Sequence, residues 1–125
     1  MIHYAEVDDL VEIASIMLGE APQIRDFGLL SSAAVRPATV AFGQEAYTDL
    51  WSKAAALLHS VCMNHALIDG NKRLAWVATR VFLALNGVPI QDVDVDEAEA
   101  LVMAVASGSL TDVPAIAGGL RQLYA

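Results

Sequence analysis

The chain has 125 residues, a length that fits one domain, and its 56% hydrophobic content supplies ample material for a core. A charged fraction of 18% argues against disorder away from the ends, and a net charge of -8 sets the chain as a whole against the phosphate backbone of nucleic acid. The single cysteine, Cys62, excludes an internal disulfide, and its apolar helical surroundings mark it as a small core filler rather than a nucleophile.

Helical spacing of apolar residues runs through most of the chain. Val7, Leu10, Val11, Ala14 and Met17 form a first stripe that ends near Gly19. Residues 29–35 suit a shorter helix after Gly28. Residues 36–43 are weakly helical; Thr39-Val40-Ala41-Phe42, with Pro37 and Gly43 nearby, suits one short hairpin. Residues 39–44 are thus a candidate flap for clamping an extended target segment by strand addition.

Tyr47, Leu50, Trp51, Ala54, Leu58 and Val61 predict a long helix over about 44–63. Leu74, Val77, Ala78, Val81 and Leu85 predict another over about 71–86, stopped by Asn86-Gly87 and Pro89. After a weakly helical stretch at 88–95, Asp94 and Glu97 have capping-box spacing ahead of Ala98, Leu101, Val102 and Val105. Val113, Ile116, Leu120 and Leu123 form the last stripe. The expectation is one all-α domain over 1–125, with room for one hairpin. No apolar run reaches the roughly 18 residues of a membrane span. Glu6, Asp8 and Asp9 interrupt any signal-like N-terminus, so a soluble cytoplasmic protein is expected.

The hydrophobic pattern breaks at 64–70, between the two long helices, where polar groups cluster. Gly70 tolerates a left-handed backbone, and Asn71 suits a helix N-cap. The free N–H groups from about Lys72 onward, with the helix dipole, would make an anion site. Lys72 and Arg73 put two cations at that positive end, the reverse of what helix stability favours, as a bound polyphosphate would require. Asp69 is placed to hold Mg²⁺ beside phosphates. His65, four residues earlier, is the candidate general base for a hydroxyl nucleophile. From these residues alone, an ordinary Asp-Gly-Asn turn stands level with the anion-site reading.

The segment His65-Ala66-Leu67-Ile68-Asp69-Gly70-Asn71-Lys72-Arg73 resembles the Fic/Doc family signature, His-x-Phe-x-Asp/Glu-Gly/Ala-Asn-x-Arg. Asp26-x-Gly28-Leu29-Leu30-x-Ser32-Ala33 with Arg36-Pro37 resembles the N-terminal signature of death-on-curing proteins. Ala54-Ala55-Ala56-Leu57-Leu58 and Phe82-Leu83-x-x-Asn86-Gly87 are similar to them as well. The resemblance implies a Fic-type helical bundle with the catalytic loop between two central helices. It implies His65 as base, Asp69 as Mg²⁺ ligand, and Gly70, Asn71, Lys72 and Arg73 as the phosphate-binding group.

Typical Fic enzymes, which move AMP from ATP to a protein hydroxyl, have Gly after the Asn and a second Arg three residues past the motif Arg. Here those positions are Lys72 and Trp76, both similar to the Doc branch. That branch implies a kinase moving the terminal phosphate of ATP, or another nucleoside triphosphate, onto elongation factor Tu. AMP transfer is the first alternative, and an inactive binding module in an antitoxin complex the second. No self-inhibitory Ser/Thr-x-x-x-Glu-Gly/Asn helix is present, so the resemblance implies a separate, Phd-like antitoxin. Leu67 departs from the motif Phe, keeping an apolar anchor with less area.

Asp92-Val93-Asp94-Val95-Asp96 mimics the start of a calcium loop. It lacks the Gly and Glu such a loop needs and reads as a turn and helix cap. His59 reads as an ordinary surface or core histidine, and His3 has no partner in sequence. Lys53 and Arg80 are further candidates to approach the loop.

Overall fold

The computed structural model describes all 125 residues. Six helices carry the chain: α1 (Val7–Leu18), α2 (Phe27–Val35), α3 (Leu50–Asn64), α4 (Asn71–Leu85), α5 (Val95–Ala106) and α6 (Val113–Leu123). A 3-10 turn at Arg36–Ala38 and an antiparallel pair, β1 (Val40–Ala41) with β2 (Gln44–Glu45), separate α2 from α3. The expected all-α fold with one short hairpin is observed. No helix is long and apolar enough to cross a membrane.

Acidic side chains set most helix starts. Asp26, Asp49, Asp94 and Asp112 accept the N–H groups of Leu29, Ser52, Glu97 and Ala115 at 3.0, 2.9, 3.0 and 3.1 Å. Each such cap is worth about 1 kcal/mol. The Ser52 N–H bond holds the Asp49 carboxyl below its ordinary range. At α1, the Glu6 N–H donates to Asp9 Oδ2 at 2.8 Å. Of the box expected at Asp94 and Glu97, the structure forms the Asp94 half. α4 alone starts on a glycine, Gly70, with no side-chain cap.

Two boundaries differ from the sequence expectation. The helix predicted over 44–63 begins at Leu50, because Gln44 and Glu45 are spent on β2 and Asp49 caps the helix. α2 begins at Phe27 rather than 29, because Asp26 is its cap. Tyr47, counted in a helical stripe, lies outside α3. Its hydroxyl accepts from Arg36 Nε at 3.0 Å.

α3 runs through the middle, touching α2, α4, α5, α6 and the 3-10 turn. Ala54, Ala55 and Ala56 are fully buried on it, and their small size lets neighbouring helices approach closely. Leu57, Leu58, Leu74, Phe82, Ile116 and Leu120 fill the space around them, in one cluster of 23 buried residues. At the far end of α4, the Asn86 side chain accepts from the His3 N–H at 2.7 Å and donates to its carbonyl at 2.9 Å, fastening the N-terminus.

The hairpin turns on Phe42 (φ 53°) and Gly43 (φ 76°), the two positive φ values of a type I′ turn. Lys53 anchors its base. This ammonium, only 2% exposed, pairs with Glu45 at 3.2 Å and donates to the Tyr47 carbonyl. Lys53 therefore serves the hairpin and not the loop at 64–70. Arg36 does similar work from the other side, donating to Tyr47, to Ser60 Oγ at 2.9 Å and to His59 Nδ1 at 2.5 Å.

The Arg36 bond needs a lone pair on His59, so the fold favours neutral imidazole. Burial, and then the Arg36 charge, lower the His59 pKa below 6.5. The folded state thus binds fewer protons there than the unfolded chain. This contribution to stability is complete above pH of about 6.5 and is lost as pH falls through the lower folded value. Thermal midpoints measured from pH 8 to pH 5 should fall over the acid half of that range in the native chain. They should fall less in His59→Gln, which keeps a neutral acceptor; identical slopes would remove His59 as the cause.

Candidate active site

The link between α3 and α4 is built by pairing it with a distant strand-like segment. Ile24 and Leu67 form an isolated antiparallel bridge. The Ala66 carbonyl accepts from the N–H groups of Arg25 and Asp26 at 2.7 and 3.0 Å, and the Ile68 N–H donates to Gln23 at 2.9 Å. Leu67 is buried, 2% exposed, so the smaller residue at the motif's aromatic position still anchors the loop in the core.

A second fastening comes from Asn71. Its side-chain Oδ1 accepts the Leu67 N–H at 3.0 Å and its Nδ2 donates to the Leu67 carbonyl at 2.9 Å. This closes a ring between loop and helix. Asn71 is therefore not the N-cap expected from sequence: Gly70 (φ 91°) holds that position, and Asn71 is the first helical residue. A side chain that spans back to Leu67 satisfies the loop backbone and is not available as a simple cap.

His65 ends α3 in the left-handed region (φ 50°). A non-glycine residue there costs of order 1 kcal/mol, so its surroundings must hold it. Arg25 does so, its Nε donating to the His65 carbonyl at 2.8 Å and its Nη2 to the Asn64 carbonyl at 3.3 Å. Asn64 in turn donates to the Leu29 carbonyl at 2.9 Å. Cation and carbonyls meet at the negative end of α3, where a positive charge is favoured. With its backbone clamped, His65 is exposed to solvent.

His65, Asp69, Gly70, Asn71, Lys72 and Arg73 all line one cavity of about 560 Å³. All six residues singled out in sequence are brought together. Met103, Ala106 and Ser107 of α5 form the facing wall. Cys62 also lines it, but burial pushes its thiol up to about 11 despite an opposing pull from Lys72, so thiolate chemistry has no support. Arg80, the other sequence candidate, is absent from this lining. It lies further along α4 in an adjoining cavity that shares Lys72, Arg73 and Met103 with the first.

The electrostatics single out the start of α4. The chain has seven basic residues. Arg25 and Arg36 are tied to carbonyls, hydroxyls or imidazole, and Lys53 to a carboxylate and a carbonyl. Arg80 bonds Tyr124, and Arg121 lies over the Trp51 ring. Only Lys72 and Arg73 have no hydrogen bond, ion pair or ring partner, and both are exposed in the first turn of the one helix that starts on a glycine. The N–H groups of Asn71, Lys72 and Arg73 have no carbonyl partner. The place is suited to an anion.

Asp69 is exposed, with Oδ1 accepting the Gly70 N–H at 2.9 Å. No group of three His, Cys, Asp or Glu side chains gathers anywhere in the chain. The donor set fits Mg²⁺ held as enzymes commonly hold it with phosphate substrates, by one carboxylate, phosphate oxygens and water.

Sequence reasoning missed Arg25 and the α5 wall. Arg25 acts through a carbonyl 40 residues away, and nothing local to it signals that contact. The α5 wall depends on how α5 packs, which apolar spacing does not specify.

A helical fold that gathers an exposed imidazole, a carboxylate and an uncommitted cationic helix start on one loop has the groups that phosphate chemistry calls for. The Fic/DOC family model matches residues 4–83, and the chain belongs to that family, whose members transfer nucleotide-derived groups onto proteins. It is 48% identical over 108 residues to "Toxin Doc" of Mycolicibacterium smegmatis, a match covering 86% of this chain and 83% of that protein.

Asn71→Ala should leave the Leu67 N–H and carbonyl without partners in a buried setting. The expected loss is about 1–3 kcal/mol of stability, read by urea unfolding, with faster hydrogen exchange at the Leu67 amide. Unchanged exchange at Leu67 would show that the loop does not depend on this ring.

Proposed function

We propose that this protein is a Doc-type toxin that phosphorylates a hydroxyl side chain of elongation factor Tu with a Mg²⁺-bound nucleoside triphosphate, arresting translation in the cytoplasm. The observation that carries the reading is the pair Lys72 and Arg73, uncommitted cations at the uncapped start of α4 beside His65 and Asp69. Family membership and the likeness to a Doc toxin support it. The Doc-like identities at Lys72 and Trp76 favour phosphate over AMP transfer.

In this reading the polyphosphate lies on the free N–H groups of the α4 start and is held by Lys72 and Arg73. His65 takes the proton of the target hydroxyl as its oxygen bonds to the terminal phosphorus, and the nucleoside diphosphate departs. Bound Mg²⁺, at Asp69, supplies neutralisation of charge on the phosphate oxygens. Asn71 acts on the site by fixing Leu67, and Arg25 by fixing His65. The hairpin of β1 and β2 offers exposed strand edges to an extended target segment. A Phd-like antitoxin supplies the restraint that the chain lacks within itself.

ATP labelled at the terminal or the alpha phosphate, supplied with elongation factor Tu and Mg²⁺, tests this directly. Label should transfer from the terminal position, and His65→Ala should slow transfer about 10²- to 10⁴-fold. Label arriving from the alpha position would establish AMP transfer instead. No transfer from either position, together with unimpaired growth arrest by His65→Ala in cells, would support a binding module. Arg73→Ala should weaken nucleotide binding roughly tenfold or more, as expected for loss of a charge-assisted phosphate contact.

A further inference from the structure

The hairpin of β1 and β2 has no buried side chain to hold it. Residues 39–46 are all exposed, so apolar packing does not fix the two strands against the helices. A two-stranded hairpin is marginally stable by itself. Its place on the molecule is therefore set by polar contacts at its two ends.

Arg36 meets both ends. Its carbonyl accepts the Thr39 N–H at 3.0 Å and the Thr39 hydroxyl at 2.6 Å, where the chain turns into β1. Its Nε donates to the Tyr47 hydroxyl at 3.0 Å, just past β2, and its guanidinium carbon lies 5.7 Å from the Tyr47 ring centroid. Its Nη1 donates to Ser60 Oγ at 2.9 Å and to His59 Nδ1 at 2.5 Å, both on α3. One residue thus joins the incoming strand, the outgoing strand and the central helix. The Ala46 N–H closes the base between the strands, donating to the Thr39 carbonyl at 2.9 Å. Lys53 holds the outgoing side alone, through Glu45 and the Tyr47 carbonyl.

The hairpin also carries features that cost stability. Val40 and Phe42 expose large apolar side chains and stand outside the core. Phe42 does so at φ 53°, in a turn position that favours glycine or asparagine. An apolar tip on an anchored polar base suits contact with a second polypeptide, and β1 and β2 are open to strand addition.

We infer that Arg36 is a positioning residue for target recognition: by tying both ends of the hairpin to α3 it presents a preformed strand edge, and so sets how tightly the target protein binds. The inference rests on the function proposed above. Arg36 lines neither the loop cavity nor the one adjoining it, so its action is on the hairpin and not on the reacting groups. A hairpin docked part of the time binds with an affinity reduced by the docked fraction. A target strand already paired with it holds the edge in place, so the chemical step at saturation keeps its rate.

Two variants test this in the transfer assay with elongation factor Tu. Arg36→Ala should raise KM for elongation factor Tu roughly tenfold, as for a hairpin docked about a tenth of the time, with kcat and the KM for MgATP unchanged. Tyr47→Phe cuts one tie and keeps the ring and the contacts of Arg36 to α3. It should raise the same KM roughly 2- to 10-fold, the loss of one hydrogen bond, and it decides the matter if Arg36→Ala does not fold. Hydrogen exchange reads the same event without catalysis: the Ala46 amide should exchange faster in both variants, and amides inside α3 and α4 should not.

Transfer with an unchanged KM for elongation factor Tu in the folded variants would overturn this role of Arg36 and leave the kinase reading standing. A lowered kcat at unchanged KM would overturn it too, since the effect would then fall on the reacting loop. No transfer by the native chain would overturn the proposed function and, with it, this role.

Discussion

The ring that the Asn71 side chain closes on the Leu67 backbone holds the functional end of the molecule together. Leu67 is buried between two long helices, where its N–H and carbonyl cannot turn to water. An amide side chain offers one donor and one acceptor at the right separation, so a single residue satisfies both groups. Because Asn71 is also the first residue of α4, the same contact ties the helix start to the loop. The free N–H groups, Lys72 and Arg73 follow directly from it along the chain. Their position relative to His65 and Asp69 is thus set by short covalent and hydrogen-bonded paths.

The same logic explains why the site sits where two helices end and begin. α3 delivers its negative end to His65, and α4 presents its positive end at Gly70. Arg25 neutralises the first by binding the carbonyls of Asn64 and His65. At the second, Asp69 accepts the Gly70 N–H, and the N–H groups of Asn71, Lys72 and Arg73 have no carbonyl partner. Elsewhere the chain follows the usual rule, with an Asp cap at the starts of α2, α3, α5 and α6. Against that background Gly70, Lys72 and Arg73 are a local departure whose stabilising partner is expected from outside the chain.

Helices with a clear apolar stripe were legible in the sequence, as were the Asp94 cap and the polar break between the two long helices. Val40 to Gly43 read correctly as a hairpin, since its turn needs positive φ at two positions and Gly43 meets one without strain. The start of α3 was not legible. Tyr47 keeps helical spacing with Leu50 and Trp51, yet its ring is taken by Arg36, and Lys53 ties its backbone outside the helix. All six candidate site residues share one cavity because they are close in sequence on a clamped loop. The parts that depend on long-range packing were hidden: Arg25 against His65, and α5 as the opposite wall.

Overall acidity and a cationic site are compatible because they act over different distances. At physiological salt the field of an exposed charge fades over about 8 Å, so the net charge of -8 weighs most on a ligand that covers much of the surface. A polynucleotide is such a ligand and meets mainly carboxylates. A compact nucleotide meets only the loop and its neighbouring cavity, where Lys72, Arg73 and three free backbone N–H groups lie within its reach. Under the proposed reading, the acidic body therefore adds selectivity: it disfavours long polyanions at a site whose local chemistry alone would accept any phosphate.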